Sequence, residues 1–230
     1  IDENDDCVPT GGFINALRPI NLARNMIDAA KRGEVTVSTG DSQNLVYQNT
    51  GDIIFEDDFA NTDSGWLNTG DADGRRAYEN GEYTIEVTSP MYWFWSDQYF
   101  AYDALMAEAD VRVVKSVGDA DYGFVCGMQG DEHFVALEIS EDGYFTIWKQ
   151  AGEEFSTLID WTYSEQLAGS GPYRLAVQCS REKLALAVDG ILLGEVQDPD
   201  YLPGGFGMIA GTFDNGGFKV AFDNLIIMIP

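Results

Sequence analysis

The chain has 230 residues, 45% of them hydrophobic, and carries 39 acidic against 13 basic side chains for a formal charge of -26. That length suits one substantial core, and all-β domains of this size commonly form a single unit. The charge repels nucleic acid and anionic lipid, and no apolar run is long enough to span a bilayer as a helix, so neither is expected as a partner.

Residues 1–52 read as an N-terminal extension. The opening Ile1-Asp2-Glu3-Asn4-Asp5-Asp6 lacks a methionine, as a processed start would, and suggests an exported, extracellular or cell-surface protein. Ala23, Met26, Ile27 and Ala30 recur at helical spacing, with Asn21 able to cap the start and Lys31 and Arg32 suiting the negative end. One short amphipathic helix is expected over 21–32. It is too short to persist alone in water, so its stripe calls for cover from the sandwich or from another subunit. Short β-prone runs follow at 34–38 and 44–48.

The main domain is expected from residue 53 to 230. Residues 53–59 read as a strand paired with the last one, and residues 61–74 as a long polar connection. Its Asp71-Ala72-Asp73-Gly74 is too short a match to an EF-hand loop to imply calcium. Strict alternation then appears: Tyr83, Ile85 and Val87 against Glu82, Thr84 and Glu86, and Ala107, Ala109, Val111 and Val113 against Glu108, Asp110 and Arg112. Further strands are expected at 122–128, 134–139, 144–149, 173–180, 183–188 and 191–196, divided by Glu141-Asp142-Gly143 and by the two-residue hairpin signal Asp189-Gly190. The final apolar runs flank Asp214-Asn215-Gly216-Gly217, which reads as a hairpin turn. Many strands and few helices predict an all-β protein of two stacked antiparallel sheets, a jelly-roll sandwich.

With these strands laid out, the frame from 53 to 229 resembles the concanavalin A-like lectin and glucanase superfamily, in particular non-catalytic domains of exported bacterial surface proteins. The likeness is carried by Phe55-Glu56-Asp57-Asp58-Phe59 with Gly65-Trp66, by residues 78–85, by Tyr122-Gly123-Phe124-Val125-Cys126, and by residues 184–190 and 220–225. Glucanases of this superfamily use a strand of the form E-x-D-x-E or E-x-D-x-x-E, because a retaining mechanism needs two carboxylates about 5 Å apart on one face. Here the nearest strand offers Glu108-Ala109-Asp110, followed on the same face by Arg112 and Val114. The acid/base position is empty, and His133 has no matched Ser or Cys partner, so no catalytic residue is expected. The glucanase branch also implies a structural calcium, carried over onto Asp57, Gly81 and Asp223. The alternative for Asp223 is that it and Asn224 bond neighbouring backbone in a turn.

Met91-Tyr92-Trp93-Phe94-Trp95 and Tyr99 form an aromatic run. If it is a strand, Trp93 and Trp95 share one face and Tyr92 and Phe94 the other. One face then belongs to the core, and the other could stack on sugars; Trp93, Trp95, Tyr99 and Trp148 are the ligand-binding candidates. Cys7, Cys126 and Cys179 show no CxxC spacing. Cys126 and Cys179 each continue the buried parity of their strands, which predicts a disulfide between them, with two buried free thiols as the alternative. Function narrows to a non-catalytic extracellular carbohydrate-binding or adhesive module, with a polysaccharide or other glycan as its partner. The alternatives are a structural subunit that self-associates through residues 13–50, and a hydrolase of another mechanism.

Overall fold

The computed structural model describes residues 51–230 apart from Ala101 and Ser170. The expected helix at 21–32, the β-prone runs at 34–38 and 44–48, and Cys7 lie outside the described residues. In chain order the strands are β1 (Asp52–Asp57), β2 (Thr69–Gly70), β3 (Gly74–Glu79), β4 (Glu82–Val87), β5 (Trp93–Tyr99), β6 (Leu105–Lys115), β7 (Asp121–Met128) and β8 (His133–Ser140). They continue with β9 (Tyr144–Ala151), β10 (Glu154–Tyr163), β11 (Tyr173–Cys179), β12 (Leu184–Val188), β13 (Ile191–Val196), β14 (Gly205–Gly211) and β15 (Phe218–Ile229). One turn of 3-10 helix, Glu165–Leu167, follows β10 and is capped by Ser164.

Two antiparallel sheets stack face to face. The nine-stranded sheet runs β13-β12-β11-β6-β15-β4-β3-β2 with β1 also beside β15, and the six-stranded sheet runs β10-β9-β8-β7-β14-β5. Ala107, Ala109 and Val111 of β6 turn inward against Tyr122, Phe124 and Cys126 of β7, all buried. Rings lock the two layers together, with Phe124 5.3 Å from Phe206 of its own sheet and 6.0 Å from Phe222 of the other. Burying each such ring contributes about 1.5–3 kcal/mol. The expected Asp189-Gly190 turn joins β12 to β13, both residues at positive φ (50° and 77°) as a two-residue hairpin of this hand requires.

Cys126 and Cys179 form the expected disulfide, with Cα atoms 6.4 Å apart. It joins β7 to β11, which belong to opposite sheets, so the bond crosses the core rather than linking adjacent strands.

Two expectations are corrected. Residues 205–229 are not a hairpin: β14 lies in the six-stranded sheet and β15 in the nine-stranded one. Residues 212–217 carry the chain across the edge of the sandwich, and each strand is flanked on both sides by others, β14 by β5 and β7 and β15 by β4 and β6. The polar connection at 61–74 is also more structured than expected. Thr69–Gly70 pairs with β3, and Trp66 turns in to bury against the core, its indole N–H donating to Asp57 Oδ2 at 2.9 Å.

Candidate functional site

The outer face of the six-stranded sheet carries a second apolar cluster, separate from the core. Val125, Met128, Phe134, Ala136 and Ile209 are buried there, with Trp93, Trp95 and Trp148 packed against them and partly exposed. Strand parity explains the grouping. Trp93, Trp95 and Asp97 alternate along β5 while Phe94 and Ser96 face the core, and the register sets Trp95, Ile209, Gly123 and Glu138 side by side across four strands. The next row is Asp97, Gly207, Val125, Ala136 and Trp148.

This face is concave. From β5 to β9 is four strand spacings, about 19 Å along a flat sheet, yet the Trp93 and Trp148 rings meet with centroids 6.3 Å apart. Trp93 also reaches Phe155 of β10 at 6.4 Å, and Trp161 of β10 reaches Phe213 at 6.1 Å. Missing side chains permit the tight coil. A Cβ on Gly123 would stand 2.1 Å from the Leu137 carbonyl oxygen, and one on Gly207 2.3 Å from that of Ser96.

Carboxylates lie among the rings. Glu138 is fully enclosed and accepts a hydrogen bond from the Trp148 indole N–H. Burial holds its carboxyl well above the ordinary range, nearby Asp121 adds to the effect, and the Trp148 bond offsets it only in part. Asp97 is raised too, first by burial and then by Asp131, with Arg76 opposing. Glu138, Asp121, Asp97, Phe134 and Phe155 were not singled out from sequence. A Glu on the same parity as Phe134 and Ala136, inside an otherwise apolar strand, was the available signal.

Of the sequence candidates, Trp93, Trp95 and Trp148 come together on this face, and Tyr99 stands at the end of the same strand, 75% exposed. Glu108 and Asp110 do not join them. They lie on β6 in the other sheet and are bound by Arg174, at 2.9 and 3.2 Å.

Asp57 and Asp223 lie close to the point where β15 changes partner, and Gly81 stands in the turn between β3 and β4. β4 pairs with Phe218–Phe222 and β1 with residues 225–229, and an irregularity falls between them at Asp223. Both Asp57 carboxylate oxygens already accept a hydrogen bond, from the Phe59 N–H and from the Trp66 indole. Asp223 accepts the Asn224 N–H at 2.7 Å, and Asn224 adopts φ 50°, the local turn bonding that was the alternative to calcium. Burial raises the Asp223 carboxyl, and Glu82, Asp110 and Asp58 add to it. Among the described residues no group of three or more His, Cys, Asp or Glu side chains converges as metal ligands.

No protein-family model and no curated protein matches the chain. Solved structures do. The CBM2 module of the evolved Dit protein of Lactobacillus casei BL23 phage J-1 superposes with a TM-score of 0.56 at 16% identity, covering 77% of this chain and 95% of that one. A glycoside hydrolase family 16 endo-glucanase from Bacteroides ovatus gives 0.55 at 11%, covering 76% and 100%. A protein of unknown function with a galectin-like fold from Bacillus subtilis gives 0.55 at 12%, covering 78% and 97%. The fold is the concanavalin A-like jelly roll. It is shared by binding modules and by hydrolases, so it does not by itself separate the two.

Proposed function

We propose that the protein is a non-catalytic carbohydrate-binding β-sandwich that takes a glycan on the concave face of the six-stranded sheet. The supporting observation is the set of partly exposed indoles, Trp93, Trp95 and Trp148, on one concave surface with the half-buried carboxylate of Asp97 beside them and Glu138 fixing the Trp148 indole from behind. Indole faces stack on the C–H faces of sugars, and carboxylates accept their hydroxyl protons. On a glycan array the protein is expected to select a limited set of structures, and Trp95→Ala to weaken that binding at least ~10-fold, ~1.4 kcal/mol. Equal signals from Trp95→Ala and wild type, both folded, would remove this face from the proposal.

The non-catalytic reading rests on Glu108 and Asp110 being tied to Arg174 on the other sheet. Turnover of a β-glucan that is lost in Glu138→Gln would reverse it. The inter-sheet disulfide supports an extracellular home, because such bonds persist in oxidising compartments. No helix among the described residues is long and apolar enough to cross a membrane.

Calcium belongs to the same proposal as a stabiliser remote from the ligand face, held by the Asp57 and Gly81 carbonyls and the Asp223 carboxylate. At 100 times its dissociation constant it would add about 2.7 kcal/mol. The melting temperature is expected to rise with calcium in wild type and not in Asp223→Asn; a wild type indifferent to calcium ends this part.

A further inference from the structure

Basic side chains are divided unevenly between the two sheets. Strands of the nine-stranded sheet contain Arg75, Arg76, Arg112, Lys115, Arg174 and Lys219, several of them paired with Glu82, Glu108, Asp110 and Glu79. The strands of the six-stranded sheet contain no arginine, one lysine, Lys149, and one histidine, the exposed His133 at the start of β8. The Lys149 ammonium is 2.7 Å from Asp198 and 3.9 Å from Asp200, off the aromatic face. On the concave side Asp97 and Asp121 are the partly exposed carboxylates, with Asp131 from the β7–β8 turn near Asp97, Glu138 enclosed behind Trp148, and the Arg76 guanidinium, bonded to the Trp95 carbonyl oxygen, as the cation acting on Asp97.

We propose that the ligand of this face is a cationic glycan, a chain of amino sugars whose free amines are protonated. This rests on the carbohydrate reading and narrows it. A concave wall on which Asp97, Asp121 and Asp131 outnumber the one cation acting on Asp97, Arg76, carries a net negative field and concentrates ligands of the opposite sign. The indoles add to the same preference, since an ammonium over a Trp face is attracted by the ring quadrupole. An amino sugar presents both recognised features at once, an apolar ring face and a positive group. Asp97 fits the part on its own evidence: it is half-buried, beside another carboxylate, and an incoming ammonium would stabilise its ionised form. Uronate or sulfated chains meet the opposite field and are rejected.

The test is calorimetry on the full chain at about pH 6, where even amines weakened by neighbouring electron-withdrawing groups are largely charged, with oligomers of equal length of glucosamine, N-acetylglucosamine and galacturonic acid, and with oligolysine. The glucosamine oligomer is expected to bind at least ~10-fold more tightly than its N-acetylated form. That advantage should shrink as salt screens it, and the uronate should not bind. Asp97→Asn should bring the glucosamine affinity down towards that of the N-acetylated chain, so that the ratio of the two affinities, measured on the same variant, falls towards one. Asp131→Asn, at an exposed position, serves the same purpose if Asp97→Asn fails to fold. Equal or tighter binding of the N-acetylated chain overturns the charge preference and leaves the carbohydrate reading standing. No binding of any saccharide removes both. Oligolysine that binds as well as the glucosamine chain, and ignores Trp95→Ala, marks a surface that collects polycations and overturns the proposal.

Discussion

Replacing Cys126 and Cys179 together by alanine is expected to lower the melting temperature by about 10 °C. The two half-cystines are 53 residues apart in sequence, and closing a loop of that length removes about 4 kcal/mol of chain entropy from the unfolded state. Both residues are buried, at 1% and 0% exposure, so the loss of their packing adds to the entropic effect. Since the bond joins β7 to β11 across the core, its removal takes away a covalent tie between the two sheets and leaves their packing to hold them. Calorimetry of the double variant beside wild type measures the drop. A shift under about 3 °C would mean that the bond does little to restrict the unfolded chain.

The second large effect concerns acidity. Glu138 has its folded carboxyl raised well above the ordinary range by burial and by Asp121, and Asp97 and Asp223 are raised in the same direction. In an unfolded chain these groups ionise first as pH rises, so the unfolded state holds fewer protons and stability falls with increasing pH. The contribution is complete below the ordinary carboxylate pKa of about 4 and is lost as pH climbs through each raised value. The protein is thus expected to melt higher near pH 5 than at pH 7. Glu138→Gln keeps an acceptor for the Trp148 N–H but cannot ionise. It is expected to gain about 1–3 kcal/mol at neutral pH, the scale of a buried polar group's desolvation, and to flatten the pH profile. Melting curves of both proteins from acid to neutral pH decide it. Parallel profiles would show that Glu138 is not the titrating group.

Much of the fold is legible in the chain because the core strands alternate cleanly. Ala107, Ala109 and Val111 announce an inward face, and Asp189-Gly190 can hardly be anything but a tight turn. Pairing across sheets is harder to read. The run at 205–229 has the local marks of a hairpin, and only the competition of β5, β7, β4 and β6 for its two arms sends them to different layers. β10 escaped notice for another reason. It is an edge strand with little burial and two register irregularities, so its side chains keep no steady period. The site shows the same division. Parity predicts that Trp93 and Trp95 share a face, but their meeting with Trp148, Phe155 and Glu138 depends on the curvature of the whole sheet, which no window of sequence encodes.

The place of β15 has a kinetic consequence. It forms the middle of the nine-stranded sheet, bonded to β6 on one side and to β4 and β1 on the other, yet it is the last strand described in the chain. Asp52 pairs with Ile229 and Asp57 with Leu225, contacts between residues far apart in sequence that form slowly because the loop between them must close first. Until residues 218–229 arrive, β4 and β6 present bare strand edges to any other chain nearby. During synthesis this sandwich stays incomplete, and open to aggregation, until residues 218–229 have emerged, and a chain cut short before β15 leaves its two flanking groups of strands without the element that joins them.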